Sequence, residues 1–366
     1  MTKKYIPIRT LHTENKYNLF SLLNDNSVDL ELLKELDIDL SKEKVFKTLM
    51  HPEVRYEVTD HCNATCIMCP REEHEDGRPH GIMSNDQYKK SIDEVVNLGA
   101  KKIVLTGFGE PMLDKGLEEK ISYAKSKNLS TYIISNGSVL NSKRALSILE
   151  AGLDEIRISF YGMGSDTYNK VMQGLDYERT KKGLLSFIEK RDKGNFNCKI
   201  QLSYLTLPEN EKDQDSFQKF WEPLVNYIEI WKPHNFGDGR SYRQRNDDLK
   251  STCGRPSTGP LQIQWNGEVI PCCYDYNNKI VLGNAFQDSV LDILNGNKYK
   301  LLRYAHTSRK FKLFPYCDQC DQLLPHADAL IYTNRHSLPA AEAVKLSNTD
   351  LYNLVDAKEF DEIIKQ

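Results

Sequence analysis

The sequence predicts an α/β fold built on a parallel β-sheet, and three observations support this prediction. Six short runs rich in β-branched and aromatic residues alternate along the chain with longer segments of helical periodicity. Strands that alternate with helices form parallel sheets with crossover connections. A cysteine-rich loop directly follows the first predicted strand, at the sheet edge where such folds carry their chemistry.

The strands and helices of this fold are expected in strict alternation along the first two thirds of the chain. The predicted strands cover residues 55–59, 102–106, 131–135, 155–160, 199–205 and 227–231. The predicted helices cover residues 85–98, 115–127, 142–151, 177–190 and 212–224. A parallel sheet of this kind brings the carboxyl ends of all its strands to one edge, so the loops after the strands are the candidate site.

Three cysteines, Cys62, Cys66 and Cys69, follow the first predicted strand in the spacing C-x3-C-x2-C. Three thiolates hold only three irons of a four-iron cluster, whereas an electron-transfer cluster is normally closed by four cysteines. A tetrahedral zinc site would need a further ligand nearby, and the next cysteine is the distant Cys198. The pattern indicates a cluster with one iron open to a ligand; a zinc or structural loop is the alternative.

The next three strand ends also carry groups that suit a ligand. Gly107 and Gly109 allow the backbone to approach a ligand closely, and Glu110 supplies a carboxylate beside them. The third and fourth strands end in turns that contain Asn136 and Ser159, whose short polar side chains can hydrogen-bond a ribose or a carboxylate. Each alone is more often a simple turn. Together with the cysteine loop they favour one shared binding site.

The cysteine loop resembles the signature of the radical S-adenosylmethionine (SAM) enzymes. In that family the open iron binds the amino and carboxylate groups of SAM, and the reduced cluster cleaves SAM to a 5′-deoxyadenosyl radical. The resemblance implies that Cys62, Cys66 and Cys69 hold a 4Fe-4S cluster, with Met68 where the family places an apolar residue against the adenine. It also implies a TIM-like, partial parallel (β/α)6 barrel.

The same resemblance extends to the other strand ends. The segment around Glu110 is similar to the family's Gly-Gly-Glu-Pro turn, which binds the SAM ammonium group, although Phe108 stands where one of the two glycines is usual. The implied SAM-binding residues are Met68, Gly107, Gly109, Glu110, Asn136 and Ser159.

The later cysteines resemble the SPASM subgroup of this family, which carries a C-terminal auxiliary-cluster module. Gly267 lies in an Asn-Gly pair flanked by apolar residues, a strong signal for a hairpin. The implied ligands of a second, auxiliary 4Fe-4S cluster are Cys253, Cys272, Cys317 and Cys320. The Gly-x4-Cys spacing selects Cys272 over its neighbour Cys273. A zinc ribbon is the alternative for this set.

Domain boundaries follow from these assignments. Residues 1–50 are expected to hold a helical segment, 51–235 the radical SAM core, 236–251 a linker, 252–325 the auxiliary-cluster module and 326–366 a polar tail. The linker contains Arg240, Arg243 and Arg245, which form either a solvated charged face or a clamp for a phosphate group.

Composition limits the partners. The net charge of −3 and the isoelectric point near 6.3 give no reason to expect nucleic acid. Apolar runs of membrane-spanning length and a signal-peptide core are both lacking, so no membrane partner is expected. Nine cysteines, most at cluster spacings, fit a reducing cytoplasmic location.

The resemblance therefore predicts a radical SAM oxidoreductase of the dehydrogenase type. Flavodoxin or ferredoxin is the expected electron donor, and a small polar molecule of the carbohydrate type is favoured over a peptide as substrate. The alternatives are a maturase that crosslinks a ribosomal peptide and a non-catalytic iron–sulfur or zinc protein. The catalytic residues of the substrate reaction are not identified by the sequence.

Overall fold

The computed structural model describes residues 33–34, 36–71, 78–237, 239–242, 250–323 and 329–335. Most of the N-terminal helical segment and most of the polar tail predicted at 326–366 lie outside these residues. No helix among the described residues combines the length and the hydropathy needed to span a bilayer.

Six parallel strands form the centre of the sheet. They are β1 (Glu53–Tyr56), β2 (Lys102–Leu105), β3 (Ser130–Ser135), β4 (Glu155–Ser159), β5 (Lys199–Leu205) and β6 (Tyr227–Trp231). Each strand pairs in parallel with the next one along the chain, so spatial order and chain order agree. The predicted α/β class with a partial (β/α)6 barrel is confirmed.

Helices cover one face of this sheet, and local capping fixes where they begin. They are α1 (Asn85–Asn97), α2 (Leu117–Ser126), α3 (Ser142–Glu150), α4 (Ser165–Val171), α5 (Tyr177–Lys193) and α6 (Gln214–Trp221). Ser84 and Gln87 form a reciprocal capping box at the start of α1, and Asp176 caps α5 through the amide of Arg179. The sequence did not predict α4, which lies in the connection between β4 and α5.

The C-terminal module continues the same sheet. Strands β7 (Leu261–Ile263), β8 (Glu268–Ile270) and β9 (Gly283–Asn284) extend it beyond β1, where β7 pairs parallel with β1 and antiparallel with β8. The predicted hairpin is confirmed, with Gly267 at φ 89° in its turn. Helices α7 (Arg255–Thr258), α8 (Val290–Asn295), α9 (Asn297–Thr307) and α10 (Pro315–Asp318) complete the module. Among the described residues, short 3-10 helices cover Leu40–Lys42, Pro111–Leu113, Glu211–Asp213, Phe311–Leu313 and Asp321–Leu323.

Three predicted segments differ from the structure. The first strand is Glu53–Tyr56 rather than 55–59, because its pairing with β2 and β7 ends at Tyr56 and only an isolated bridge follows, from Thr59 to Ile82. The predicted polar tail contains β10 (Leu330–Thr333), which pairs antiparallel with β6 and covers that edge. In the predicted linker, a side chain at Gly239 would collide with Pro70 and Tyr276, so this part of the linker is packed.

A buried ion pair joins α1, α2 and the turn after β2. The ammonium group of Lys120 donates to Asp114 and to Asn85, at 2.7 Å each, and the Lys120 and Asp114 side chains are 1% and 4% exposed. Asp114 also accepts from the amide of Gly116 at 2.8 Å. Removing one partner of such a pair leaves the other charge buried and uncompensated.

We expect Asp114→Ala to lower the free energy of unfolding by about 3–5 kcal/mol for this reason. The measurement is chemical denaturation of the reconstituted protein under anaerobic conditions. Glu189→Ala is the matched control, because Glu189 pairs with Lys193 on the exposed face of α5; its midpoint should not change. Equal midpoints for the two variants would show that the buried pair is not stabilising.

Candidate active site

A cavity of about 390 Å³ lies against the inner face of the sheet, at the carboxyl ends of its parallel strands. Side chains from β1, β3, β4, β5 and β6 line it, and the loops after β1, β2, β6 and β8 contribute to its walls. This is the size of a small-molecule pocket. Among the residues proposed from sequence, those that line it are Met68, Cys69, Gly107 and Ser159.

The structure brings Cys62, Cys66 and Cys69 together in one tight loop. Cys69 donates its backbone N–H to the carbonyl of Cys66 at 2.9 Å. Burial raises the pKa of all three thiols, that of Cys69 to about 11, and each is raised further by a negative sulfur beside it or by Glu110. Crowded thiolates need positive charge to offset their repulsion, and the irons of a cluster supply it. This donor set therefore fits an iron–sulfur cluster.

Two sets of hydrogen bonds fix the cysteine loop to its neighbours. The side chain of Asn63 donates to Ser138 at 2.8 Å and accepts from Asn136 at 3.1 Å, which ties the loop to the end of β3. The backbone N–H of Thr65 donates to the carbonyl of Gln173 at 2.8 Å, after α4. Sequence reasoning did not identify Asn63, although its position next to a cluster cysteine was a usable signal.

Gly107 and Gly109 lie where any side chain would collide with the β1 end. A Cβ atom at Gly107 would lie 2.4 Å from the side chain of Glu57, and one at Gly109 would lie 2.2 Å from the carbonyl oxygen of Thr59. The turn after β2 is thereby packed directly onto the segment that leads into the cysteine loop. Glycine is needed at both positions for this close approach.

Glu110 joins β2 to β3. Its carboxylate accepts from the hydroxyl of Ser135 at 2.7 Å, from the backbone N–H of Asn136 at 2.6 Å and from that of Met112 at 3.0 Å. It is 2% exposed, and burial raises its pKa although these donors oppose the shift. In this arrangement the Glu110 carboxylate orients the strand end that presents Asn136, rather than lining the cavity itself.

The predicted auxiliary set also converges. Cys317 and Cys320 are linked by a turn in which Cys320 donates its N–H to the carbonyl of Cys317 at 2.9 Å. Burial raises the pKa of Cys272 and of Cys317, and it raises the pKa of Cys320 to about 12. The neighbouring thiols of Cys272, Cys253 and Cys320 raise the pKa of Cys317 further. Three thiols whose pKa is raised by burial, with Cys253 near enough to repel them, fit a closed iron–sulfur cluster as the first three cysteines fit an open one.

Cys273 points the other way from Cys272. It lines the cavity, and its sulfur lies 3.4 Å from a guanidinium nitrogen of Arg255 and 3.8 Å from one of Arg55. The chain turns at this point, with the backbone N–H of Asp275 donating to the carbonyl of Cys272 at 3.2 Å. The backbone at Cys272 and Cys273 therefore lies between the auxiliary cysteines and the cavity.

Arg78 and Glu57, which the sequence analysis did not identify, connect the barrel to the C-terminal module. The guanidinium group of Arg78 donates to Glu57 and, at 3.2 Å, to Gln264 of the hairpin, and Glu57 accepts from the backbone N–H of Phe108 at 3.0 Å. Both side chains are almost fully buried, and burial raises the pKa of Glu57. The sequence did not predict this contact, because the two residues lie 21 positions apart and no motif links them.

Arg240 contacts the cysteine loop rather than solvent. Its guanidinium group donates to the backbone carbonyl of Cys69. The other two arginines of the predicted clamp, Arg243 and Arg245, lie outside the described residues.

Comparisons with known families agree with this geometry. The Radical SAM superfamily model matches residues 56–219, and the SPASM iron–sulfur cluster-binding domain model matches residues 253–321. The predicted cofactors, SAM and iron–sulfur clusters, are those of these two families.

Curated relatives match mainly over the barrel. A probable GTP 3′,8-cyclase of Methanococcus maripaludis is 33% identical over 138 residues, which are 37% of this chain and 45% of that protein. A GTP 3′,8-cyclase of Lactiplantibacillus plantarum is 27% identical over 206 residues, 51% of this chain and 59% of that protein. The matched segment thus spans about half the length of these relatives.

Solved structures share the fold. Streptococcus suis SuiB bound to precursor peptide SuiA has a TM-score of 0.59 at 13% identity and covers 87% of this chain and 81% of its own. BtrN in complex with AdoMet and 2-DOIA has a TM-score of 0.52 at 19% identity, and the match covers 76% of this chain and 94% of the BtrN chain. At these identities the likeness shows the fold alone. With both family models matched, the chain belongs to the radical SAM superfamily, in the subgroup that carries a SPASM iron–sulfur domain.

Proposed function

We propose that this enzyme oxidises a small polar molecule of the carbohydrate type, by removing a hydrogen atom, an electron and a proton from one substrate carbon centre. The observation that carries the proposal is that the cavity is lined both by the first cysteine loop and by the residues that directly follow Cys272. Met68 and Cys69 form one wall, and Cys273 and Tyr274 form part of another. A bound substrate is thereby exposed to a radical source on one side and to an electron acceptor on the other.

The residues proposed to hold the first cofactor come from four neighbouring strand ends. Cys62, Cys66 and Cys69 would ligate the open cluster, and Met68, Gly107, Gly109, Glu110, Asn136 and Ser159 would bind or orient SAM. When bound, the cluster and SAM supply the radical that abstracts the substrate hydrogen, after an electron arrives from flavodoxin or ferredoxin. For Glu110 we propose an indirect role, since its carboxylate holds Asn136.

The cavity wall supports a polar substrate. About a third of the lining side chains are charged or carry an amide group. The polar lining residues on the strands are Glu53, Arg55, Tyr132, Arg157, Ser159, Gln201, Ser203, Glu229 and Gln262. Several of these groups are paired within the protein, but Nε of Arg157 and Nε2 of Gln262 are buried without a hydrogen-bond partner among the described residues. Polar groups of a ligand would complete their hydrogen bonds.

The auxiliary cluster would be held by Cys253, Cys272, Cys317 and Cys320. Its proposed role is to take the electron that the substrate radical loses as a carbonyl forms. Strand β8 ends at Ile270, two residues before Cys272, so the sheet itself sets the distance from this cluster to the cavity.

The reaction is tested by anaerobic turnover of the reconstituted enzyme with SAM, a reductant and candidate sugars that carry deuterium at their carbinol carbons. We expect one deuterium in 5′-deoxyadenosine and a product lighter than the labelled substrate by one deuterium and one hydrogen. Mass spectrometry measures both. Transfer of deuterium from a short cysteine-containing peptide and from none of the sugars would instead favour peptide modification.

Replacing Cys62, Cys66 and Cys69 together with Ala should halve the iron content, from about eight to about four irons per chain, and abolish SAM cleavage. Iron and zinc analysis of the anaerobically reconstituted proteins measures this. Cys198→Ala is the control and should keep all of its iron, because Cys198 is buried beside β5, apart from both sets. Full iron in the triple variant would contradict the ligand assignment.

The roles of Cys272 and Cys273 are separated by single substitutions. Cys272→Ala should lose the auxiliary cluster, still cleave SAM to 5′-deoxyadenosine and fail to release the oxidised product, because the substrate radical has no electron acceptor. Cys273→Ala should keep both clusters by iron content and electron paramagnetic resonance. The reverse pattern would show that the ligand is Cys273, and product formation by Cys272→Ala would exclude the acceptor role.

A further inference from the structure

Arg157 occupies an unusual position among the charged groups of the cavity. It lies on β4 and faces inward, and its guanidinium group donates to the hydroxyl of Ser203 on β5 at 2.8 Å. Its Nε atom is buried and has no hydrogen-bond partner among the described residues. A buried donor of this kind normally has a partner, so the position calls for an acceptor.

The other two arginines that line the cavity, Arg55 and Arg335, each have a carboxylate partner, and so does Arg78 in the adjoining wall. Arg55 pairs with Glu53 at 2.7 Å, Arg335 pairs with Glu155 at 3.2 Å, and Arg78 pairs with Glu57. Within the part of the chain that the structure describes, Arg157 has no carboxylate at ion-pair distance.

Arg157 nevertheless stays charged. Burial disfavours its cationic form, but the more distant Glu229 on β6, with Tyr132 and Tyr161, outweighs this and holds its pKa above the ordinary value; Arg55 opposes them. The surroundings of Arg157 therefore favour the cation, and an anionic ligand in the cavity would meet a charged guanidinium group.

The direction in which Arg157 reaches separates it from the SAM contacts. The proposed SAM residues lie at the ends of β1 to β4, whereas the Arg157 guanidinium turns toward Ser203 on β5 and is influenced by Glu229 on β6. Strands β5 and β6 carry none of the proposed SAM contacts. The hydrogen bond of the guanidinium thus reaches toward strands that carry none of the proposed SAM contacts, although Tyr132 on β3 and Arg55 on β1 also lie near enough to influence it.

The charge balance there selects the kind of anion. Glu229 is 3% exposed and also lines the cavity, where it accepts from the indole N–H of Trp231 at 3.0 Å. A carboxylate ligand would carry one negative charge against the Arg157 cation. A phosphate dianion would add a second charge near Glu229, which repels it.

We infer that Arg157 and Ser203 form a substrate-anchoring subsite for a single carboxylate group. Resting on the proposed oxidation of a small polar molecule, this narrows the substrate class to hydroxylated acids such as sugar acids. The planar fork of the guanidinium group matches the two oxygens of a carboxylate. The anchored carboxylate would fix which carbon faces the radical source.

Acetate serves as the probe, since it presents the carboxylate alone. The unfolding temperature of the reconstituted full chain is measured against acetate, inorganic phosphate and chloride at constant ionic strength. We expect acetate to raise it with concentration, as binding to the native state requires, and phosphate to raise it less. Saturating SAM should leave the acetate response in place. SAM cleavage by the wild-type protein is measured in parallel and reports on the proposed function independently.

Arg157→Met should weaken acetate binding by about tenfold or more, because the charge-assisted hydrogen bonds are lost. Arg157→Lys keeps the positive charge but lacks the planar guanidinium group, so acetate should raise its unfolding temperature less than that of the wild-type protein. This second variant tests the inference even if the Met variant does not fold. Arg335→Met is the matched control, because Arg335 already has Glu155 as its partner; it should keep the acetate response.

Three results would overturn the inference. The first is an acetate response that is absent in the wild-type protein or unchanged in both Arg157 variants. The second is loss of the response once SAM is bound, which would assign Arg157 to the SAM carboxylate. The third is stronger stabilisation by phosphate than by acetate, which would contradict the choice of a single negative charge.

Discussion

Strand β1 is paired on both sides, with β2 and with β7, and the geometry of the whole site depends on this double pairing. Its side chains are inaccessible at Val54 and Tyr56, and the Tyr56 hydroxyl shares a 2.8 Å hydrogen bond with Ser91 of α1. The cysteine loop leaves from the end of this strand, and the hairpin that leads to Cys272 is attached to its other edge. One strand therefore anchors both the cysteine loop and the hairpin that leads to Cys272.

This arrangement explains why the auxiliary module is not an independently placed domain. From β1 to β8 the sheet crosses two strand spacings, about 10 Å. The separation between the proposed clusters is then set by backbone hydrogen bonds rather than by a flexible connection. Electron transfer across the substrate cavity benefits from such a fixed distance, and Arg78 strengthens the junction by joining Glu57 of the barrel to Gln264 of the hairpin.

Buried carboxylates organise the ligand-facing backbone. Glu57 accepts from the turn after β2, and Glu110 accepts from the end of β3, so both hold loops that surround the proposed SAM site. Each of these carboxylates has its hydrogen bonds completed by protein groups. Arg157 differs from them because its nearest carboxylate, Glu229, is not in ion-pair contact with it. Arg55 and Arg335, the other arginines that line the cavity, are paired with carboxylates, so Arg157 is the one proposed to bind a ligand.

The sequence by itself determined the fold class, the order of the six parallel strands and the two cysteine sets, because these depend on local periodicity and on spacing along the chain. Five of the six strands lie within one residue of their predicted bounds. The predicted bounds of β1 were wrong because the β-type sequence pattern continues past Tyr56, where the pairing with the neighbouring strands ends. Tertiary structure alone decided that the module continues the barrel sheet, that β10 covers the β6 edge, and that Glu57 meets Arg78. It also decided that Cys273, which the Gly-x4-Cys spacing had passed over as a cluster ligand, lines the cavity. Contacts of this kind join residues from distant parts of the chain, and no spacing or periodicity encodes which charges will meet once the strands are paired.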